Sequence, residues 1–310
     1  MRRLRFFIVV SFLLVVCVLI QNLVKRSHSF RNIVNKEFTC QSLDELHVHT
    51  VIGSGAYRHT YAGTFRGVDV AVKTIKVRFT SFFGQHLVDK EREAEINCLR
   101  LFRDLQDVHV KTLMEAIKTE CTSLNVGHMI SEIIYNSVLK HDTVVKHFGY
   151  CLREPKTSAI KPGQVQMANI NKKTAKALFE SSIISVSELG SVLAEEDVVA
   201  MPIQERLRQT RELAVMVGTL YNTLVGPIQI SDLKLEHLMY NNGKWKVFDL
   251  GMFLSGDKQI DHPWTRNIML FCRQVLNIVF KNNSLYDNDK CQTMSSTKYI
   301  DYMESIKSPN

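Results

Sequence analysis

Proline and glycine are scarce in this chain, with 6 Pro and 14 Gly among its 310 residues. This scarcity excludes collagen-like and low-complexity proteins, which need far more of both residues. The chain also lacks a Cys-x-x-Cys pair, so neither a zinc ribbon nor a thioredoxin-type motif is expected. Apolar residues make up 45% of the sequence, which is enough to build the core of one large domain or two small ones.

Acidic residues are absent from the first 26 positions, and this explains most of the basic character of the chain. The formal net charge is +8 at pH 7, of which +3 belongs to the rest of the chain, without a long basic run. Nucleic-acid binding is therefore not expected. The five basic residues of the N-terminal segment are Arg2, Arg3, Arg5, Lys25 and Arg26.

The residues from Phe6 to Val24 form a nearly uninterrupted apolar run. A helix of this length rises about 28 Å, which is enough to cross a hydrocarbon core. No small-residue cleavage site follows, so we expect an uncleaved signal-anchor, with a cleaved signal peptide or a buried helix as alternatives. Arginines before the span favour a cytoplasmic N-terminus. The sequence thus predicts a single-pass type II protein facing the Golgi or endoplasmic reticulum lumen, or a secreted form of it.

Cysteines beyond this span form an even set of six, which in an oxidising lumen predicts disulfide bonds. The sequence leaves their pairing open, and ordinary buried thiols are the alternative. A glycosylation sequon at Asn282 lies in a polar stretch suited to a surface loop. The six cysteines are Cys40, Cys98, Cys121, Cys151, Cys272 and Cys291.

Hydrophobic periodicity predicts mostly strands in the first part of the chain and helices later, which is typical of an α+β protein. A polar stem is expected over residues 27–47, and the Asn242-Gly243 pair predicts a hairpin near residues 238–248. Other strands are predicted over 48–52, 68–73, 143–150 and 183–186, and helices over 87–105, around 126–139 and over 204–225.

Two motifs near the first strands could contact a phosphate. Glycines in Gly53-Ser54-Gly55 would let backbone amides approach it closely, although an ordinary hairpin turn is the alternative. Lys73 ends an alternating strand and faces the same way as Ala71. A lysine on an inward face needs a carboxylate or a phosphate, and Glu91 and Glu95 on the next helix are the candidates. A solvated strand end is the alternative.

Two aspartates flank the predicted hairpin, Asp232 before its first strand and Asp249 after its second. Carboxylates brought together in this way could position an acceptor hydroxyl and a divalent metal. Taken singly, each is explained equally well as a capping or turn aspartate.

In their order and spacing, these motifs resemble the protein-kinase superfamily from residue 48 to about residue 280. Within it, the chain is most similar to the secretory-pathway kinases, above all the vertebrate lonesome kinase group, and more loosely to protein O-mannose kinase. The matching segments are GSGAYRHTYAG (53–63), AVK (71–73), EREAEINCL (91–99), HDTVVKHFGYCL (141–152), VSELGSVL (186–193) and SDLKLEHLMYNNGKWKVFDLG (231–251).

The resemblance implies a two-lobed, kinase-like α+β fold over residues 48–310. Residues 48 to about 187 would form a small β-rich lobe with one helix. The remainder would form a larger, mostly helical but abbreviated lobe, because no A-P-E segment follows Asp249. This domain would stand behind a cytoplasmic tip and membrane anchor at 1–26 and the stem at 27–47.

The resemblance also implies ATP as cofactor. The backbone of Gly53, Ser54 and Gly55 would cover its phosphates, and Glu188 lies in the segment expected to hold adenine. Lys73 would hold the α- and β-phosphates while paired with Glu95, with Glu91 as the second choice.

The catalytic roles follow from the same resemblance. Asp232 would orient the acceptor hydroxyl, and Lys234 would steady the transferring phosphoryl group. Asp249, together with His237, would hold Mg²⁺ or Mn²⁺. A histidine replaces the expected asparagine at position 237, which favours Mn²⁺. Arg58 stands where the third glycine of the loop is expected.

The expected function is transfer of the γ-phosphate of ATP to Ser/Thr or Tyr hydroxyls of a secreted or lumenal protein. A catalytically inactive pseudokinase acting as a lumenal binding module is the alternative from another class. A sugar-hydroxyl kinase is a further one.

Overall fold

The computed structural model describes most of the chain after residue 26. Three predicted features lie outside the described residues: the catalytic Asp232, the sequon at Asn282 and nearly all of the membrane span. Among the described helices, none has both the length and the apolarity needed to cross a bilayer. The described residues are 27–55, 58–75, 85–153, 181–220, 233–250 and 270–280, with 16, 20–21, 23–24, 166–167, 178, 223–225, 228, 291 and 298.

A six-stranded sheet is the largest element of the fold, and five of its strands form a continuous antiparallel ladder. A two-residue strand joins one edge in parallel. Across the sheet the order is β4-β6-β3-β2-β1-β5, so that β3 lies near the centre. In chain order the strands are β1 (Leu46–Ser54), β2 (Arg58–Phe65), β3 (Val68–Ile75), β4 (His147–Leu152), β5 (Gln166–Met167) and β6 (Ile183–Glu188).

The central strand β3 separates two buried cores. Val70 and Val72 belong to one core, whereas Ile75 belongs to the other, larger one. Because side chains alternate along a strand, Lys73 shares the face of Ala71 and Ile75. The predicted orientation of Lys73 is confirmed, and its residue is only 7% exposed.

Helices supply most of the larger core, and together with the sheet they confirm the predicted α+β class. The predicted helix at 87–105 is present as the second of them. In chain order they are α1 (Phe30–Ile33), α2 (Gln85–Asp104), α3 (Val110–Glu120), α4 (Leu124–Val138), α5 (Glu195–Ala200), α6 (Ile203–Thr219), and a π-helical segment (Phe271–Leu276) that runs into α7 (Asn277–Val279).

Helix α4 passes through the interior of the protein. Every residue from Asn125 to Ser137 is buried, and the helix contacts β3, β4 and β6. Its buried residues include polar ones, such as Asn125, His128 and Asn136, as well as apolar ones. It also contains one acidic residue, Glu132, which is 2% exposed and therefore needs a partner.

A second, three-stranded sheet contains the predicted hairpin. Its strands are β7 (Ser191–Val192), β8 (Leu238–Asn241) and β9 (Lys244–Val247), with β8 in the centre. Asn242 and Gly243 have φ values of 51° and 77°, the left-handed geometry that suits a two-residue hairpin turn. This hairpin continues directly into Asp249.

Residues 30–46, which the sequence placed in a polar stem, are packed into the protein. Phe30 and Val34 lie in the larger core, and Phe38 and Leu43 lie in the other. The Phe38 backbone N–H donates to the Phe148 carbonyl at 2.9 Å. The stem prediction is therefore wrong for this segment, because its apolar residues are too irregularly spaced to reveal a helix or a strand.

All six cysteines that the sequence singled out form disulfide bonds, which confirms the disulfide prediction. Cys40 joins Cys151, Cys98 joins Cys121, and Cys272 joins Cys291. The first bond fixes the segment before β1 to β4, and the second fixes α2 to the residues just before α4.

Candidate functional site

A cleft of about 410 Å³ brings most of the predicted site residues together. Its walls come from the start of the large sheet, from the connection between β6 and β7, and from the end of β9. The predicted residues that line it are Gly53, Ser54, Gly55, Lys73, Glu188, Lys234 and Asp249. Glu95 and His237 are not among its lining residues, and Asp232 lies outside the described residues.

The glycines at the end of β1 are not required by the fold around them. A Cβ on Gly53 would meet Thr60 at an ordinary 3.7 Å, and a Cβ on Gly55 would meet no described atom within 4 Å. Neither residue has a left-handed φ. Packing against the described residues therefore does not require glycine at either position.

Lys73 forms an ion pair with Glu132 of α4, not with Glu95. Glu95 on α2 accepts a hydrogen bond from the Ser182 hydroxyl instead. Glu91, the second choice, lies on the same helix and is exposed. The predicted Lys73–Glu95 pair is wrong, because the carboxylate that reaches Lys73 is Glu132 of α4, which packs against β3.

The chain carried one signal for Glu132. It is the only charged residue of a helix that is otherwise apolar or neutral, and such a residue is costly to bury without a partner. The preceding helices α2 and α3 increase the distance in sequence between Lys73 and its carboxylate. The spacing expected from the kinase motifs therefore points to Glu95 and not to Glu132.

Arg58, at the first position of β2, joins the buried carboxylate of Glu132 to that of Asp249, which lines the cleft. One terminal nitrogen of its guanidinium pairs with Glu132 and the other pairs with Asp249. The Arg58 side chain is 12% exposed, so these are largely desolvated ion pairs. Arg58 and Lys73 thus face Glu132 and Asp249, which gives a buried cluster of two cations and two anions.

The backbone at Asp249 holds its carboxylate in this cluster. The residue has a φ of 62°, a left-handed conformation that costs a non-glycine residue about 1 kcal/mol or more. The Phe248 N–H donates to the His237 carbonyl at 3.0 Å, which fixes the chain just before Asp249. Strain of this kind is concentrated at functional sites.

The cluster shifts the pKa values of its members. Burial lowers the pKa of Lys73 to about 8, although Asp249 opposes that effect. Burial alone would raise the pKa of Asp249, but Lys73, Arg58 and His237 together hold it below its ordinary value. Asp249 is therefore ionised at neutral pH, and Lys73 is close enough to its titration range to respond to mild alkali.

A buried histidine behind Lys73 adds no charge to the cluster. His147 on β4 hydrogen-bonds to the Ser185 hydroxyl through Nε2 at 3.0 Å. Burial lowers its pKa to about 3, and the nearby Lys73 and Lys140 contribute in the same direction. The imidazole is consequently neutral at physiological pH.

Glu188, at the end of β6, connects the two sheets. Its carboxylate accepts from Lys246 Nζ at 2.7 Å, from the Lys146 backbone N–H at 2.6 Å and from Asn241 Nδ2 at 3.3 Å. This side chain is therefore occupied in bracing the connection. A ligand in the cleft would therefore contact mainly the residues around Glu188 and not its carboxylate.

The residues predicted to hold a metal do not form a metal site among the described residues. Asp249 lines the cleft, but Arg58 already pairs with it. The His237 ring packs against Phe248 with centroids 6.1 Å apart and does not line the cleft. Within the described ranges there is no group of three or more His, Cys, Asp or Glu residues able to hold an ion. The described part of the site therefore does not fit the expected group.

Comparison with known proteins adds no relative. No protein-family model matches the chain, and no curated protein sequence matches it.

Proposed function

We propose that the protein binds ATP in this cleft and transfers its γ-phosphate to hydroxyl groups of a secreted or lumenal protein. The observation that carries the proposal is the convergence of seven sequence-predicted residues, from five separate stretches of chain, on one cleft. A two-lobed, kinase-like arrangement is part of the proposal. In it, the six-stranded sheet would belong to the small lobe, and the segment Glu188–Gly190 would connect it to the larger one.

The cleft offers a suitable slot for a flat heteroaromatic base. Apolar side chains from both sheets line it, and such surfaces are typical of the part of a pocket that holds a planar ligand. Beside them, Glu188, Leu189 and Gly190 line the cleft at the connection between the two sheets. The apolar lining residues are Ile52, Ala71, Val145, Leu189, Val192 and Met239.

The polar end of the cleft is suited to phosphates. Lys73 and Arg58 meet there at Glu132, beside Asp249, and Lys234, Gly53, Ser54 and Gly55 also line the cleft. Phosphoryl transfer depends mainly on positioning and on charge stabilisation, which cations in a cleft of low dielectric provide. Asp232 remains the proposed group for orienting the acceptor hydroxyl, whereas the predicted Mg²⁺ or Mn²⁺ at Asp249 would have to compete with Arg58 for that carboxylate.

One observation favours the second candidate, a pseudokinase that acts as a binding module. Arg58 occupies the carboxylate of Asp249, which in an active kinase would be expected to hold metal. The type II topology and the lumenal location remain proposals, and the three disulfide bonds support an oxidising compartment for either candidate. A sugar hydroxyl as acceptor has no separate support.

The function is tested by adding ATP to the purified full chain, with and without Mg²⁺ or Mn²⁺. We expect ATP to raise the melting temperature, and labelled γ-phosphate to appear on lumenal or secreted proteins. If neither ATP nor its analogues bind under any condition, both the kinase and a nucleotide-binding pseudokinase are contradicted. Binding without any transfer would favour the pseudokinase.

A pH dependence is expected if Lys73 contacts the phosphates. Because its pKa is about 8, raising the pH above that value removes the positive charge, and ATP affinity should fall. The loss should be about tenfold by pH 9, since only about a tenth of the groups stay protonated one unit above the pKa. The measurement is the dissociation constant of ATP between pH 6.5 and 9.5. Lys73→Arg, which stays charged, is the control, and a flat wild-type profile would contradict the proposed contact.

A further inference from the structure

Arg58 occupies an unusual position in the cleft. It begins β2 directly across from the end of β1, and its partner across the ladder on β3 is Ile75. From this position its side chain reaches inward to Glu132 and Asp249 and lines the same cleft as Lys73. In the motif that the sequence resembles, a glycine is expected there, so this guanidinium is an addition to the site.

The charges in the cleft show what this addition does. Without Arg58, the carboxylates of Glu132 and Asp249 would face Lys73 as their only cation in the cluster, leaving one negative charge to be balanced from outside. With Arg58, the four groups are balanced by the protein itself. The Asp249 carboxylate, which would attract a divalent ion, is already neutralised by the guanidinium of Arg58.

Among the described residues that line the cleft, Asp249 and Glu188 are the only carboxylates. Glu188 is the other predicted acid on its wall, and it is bound by Lys246, Lys146 and Asn241. Magnesium binds through carboxylates and substrate phosphates and gives up its water reluctantly. A divalent ion at Asp249 would thus have to displace a largely buried ion pair.

The guanidinium is also chemically suited to a phosphate. The two ion pairs use one N–H on each terminal nitrogen, and each of these nitrogens carries a second N–H. Arginine binds phosphate oxygens through such paired donors and keeps its charge at every physiological pH. Lys73 and Lys234 also line the cleft, where their charges would help to balance those of a phosphate.

We propose that Arg58 takes the place of the divalent cation at Asp249, so that the cleft binds a nucleoside triphosphate without a metal ion. This inference rests on the proposed function, because it concerns the same cleft. It assigns Arg58 as a phosphate-binding residue and makes metal a competitor for Asp249.

The test compares ATP binding to the wild-type full chain in EDTA and in millimolar Mg²⁺ or Mn²⁺ by titration calorimetry. We expect affinities within about threefold of each other in the wild type. Arg58→Met, which keeps an unbranched side chain but removes its charge, should bind ATP in EDTA at least about tenfold more weakly, since a charge-assisted hydrogen bond contributes about 1.5–3 kcal/mol. Metal should then restore much of its affinity.

A second readout does not depend on the nucleotide. Removing Arg58 leaves Asp249 short of a cation, so Mn²⁺ or Mg²⁺ alone should raise the melting temperature of Arg58→Met but not that of the wild type. Arg66→Met is the matched control. Arg66 directly follows β2, pairs with the exposed Glu45 and is not among the residues that line the cleft. It should behave as the wild type does in both measurements.

The outcomes separate this inference from the proposed function. If the wild type binds ATP only with metal, Arg58 does not replace the cation, and the inference fails while the function stands. If Arg58→Met binds ATP with metal and the wild type does not bind it at all, Arg58 blocks the cleft, and the inference again fails. If no protein binds ATP under any condition, the inference and the proposed function fail together.

Discussion

Replacing Glu132 by glutamine is expected to reduce the free energy of unfolding by about 3–5 kcal/mol. Glu132 is 2% exposed and is the common partner of Lys73 and Arg58. Glutamine keeps the size of the side chain but removes its charge, so Glu132→Gln leaves two buried cations facing Asp249 alone. The measurement is urea unfolding at pH 7, followed by far-UV circular dichroism.

Glu95→Gln is the matched control, because the sequence predicted this glutamate for the same role. Glutamine can still accept the hydrogen bond from Ser182, and we expect a loss below about 1 kcal/mol. Equal losses for the two variants, or a larger one for Glu95→Gln, would show that Lys73 does not depend on α4. A double variant, Glu132→Gln with Lys73→Met, should recover part of the stability, because it removes one of the unpaired cations.

The Asp232→Asn variant is expected to lower the rate of phosphoryl transfer by a factor of about 10²–10⁴, with ATP binding unchanged. Asp232 is proposed to position the acceptor hydroxyl and accept its proton, and asparagine cannot take up that proton. The nucleotide contacts come from other residues, so binding should persist. Single-turnover transfer and calorimetric binding, measured on the same preparation, separate the two effects.

Asp142→Asn provides the control for this variant. Asp142 is an exposed aspartate that pairs with Lys244 outside the cleft lining, and its loss should leave transfer unchanged. An Asp232→Asn variant that transfers phosphate as fast as the wild type would exclude Asp232 from the reaction. A wild type that binds ATP but transfers nothing would favour the binding-module candidate.

The sequence predicted the framework of the fold because its strands and hairpin carry strong local signals. The alternation around Val70 to Lys73 placed Lys73 on the correct face, and the Asn242-Gly243 pair located the hairpin between β8 and β9. Both signals are local, since they depend on residues that are adjacent in the chain.

The partner of Lys73 could not be found in the same way. Whether Glu95 or Glu132 reaches it depends on which helix packs against β3, and that is settled by the tertiary arrangement of α2, α3 and α4. Local spacing carries no information about such a choice. The same is true of Arg58. The sequence shows only that it replaces an expected glycine, because its two partners lie 74 and 191 residues further along the chain.

The disulfide bonds impose an order on the maturation of the chain. The Cys98–Cys121 bond spans 23 residues and lies entirely inside the 111-residue loop that Cys40–Cys151 closes. In the proposed oxidising lumen, Cys40 would enter long before its partner Cys151, and Cys98 and Cys121 would become available to it first. Early pairing of Cys98 with Cys121 removes both competitors. The inner bond thereby protects the thiol of Cys40 from a wrong partner that only slow thiol–disulfide exchange would correct.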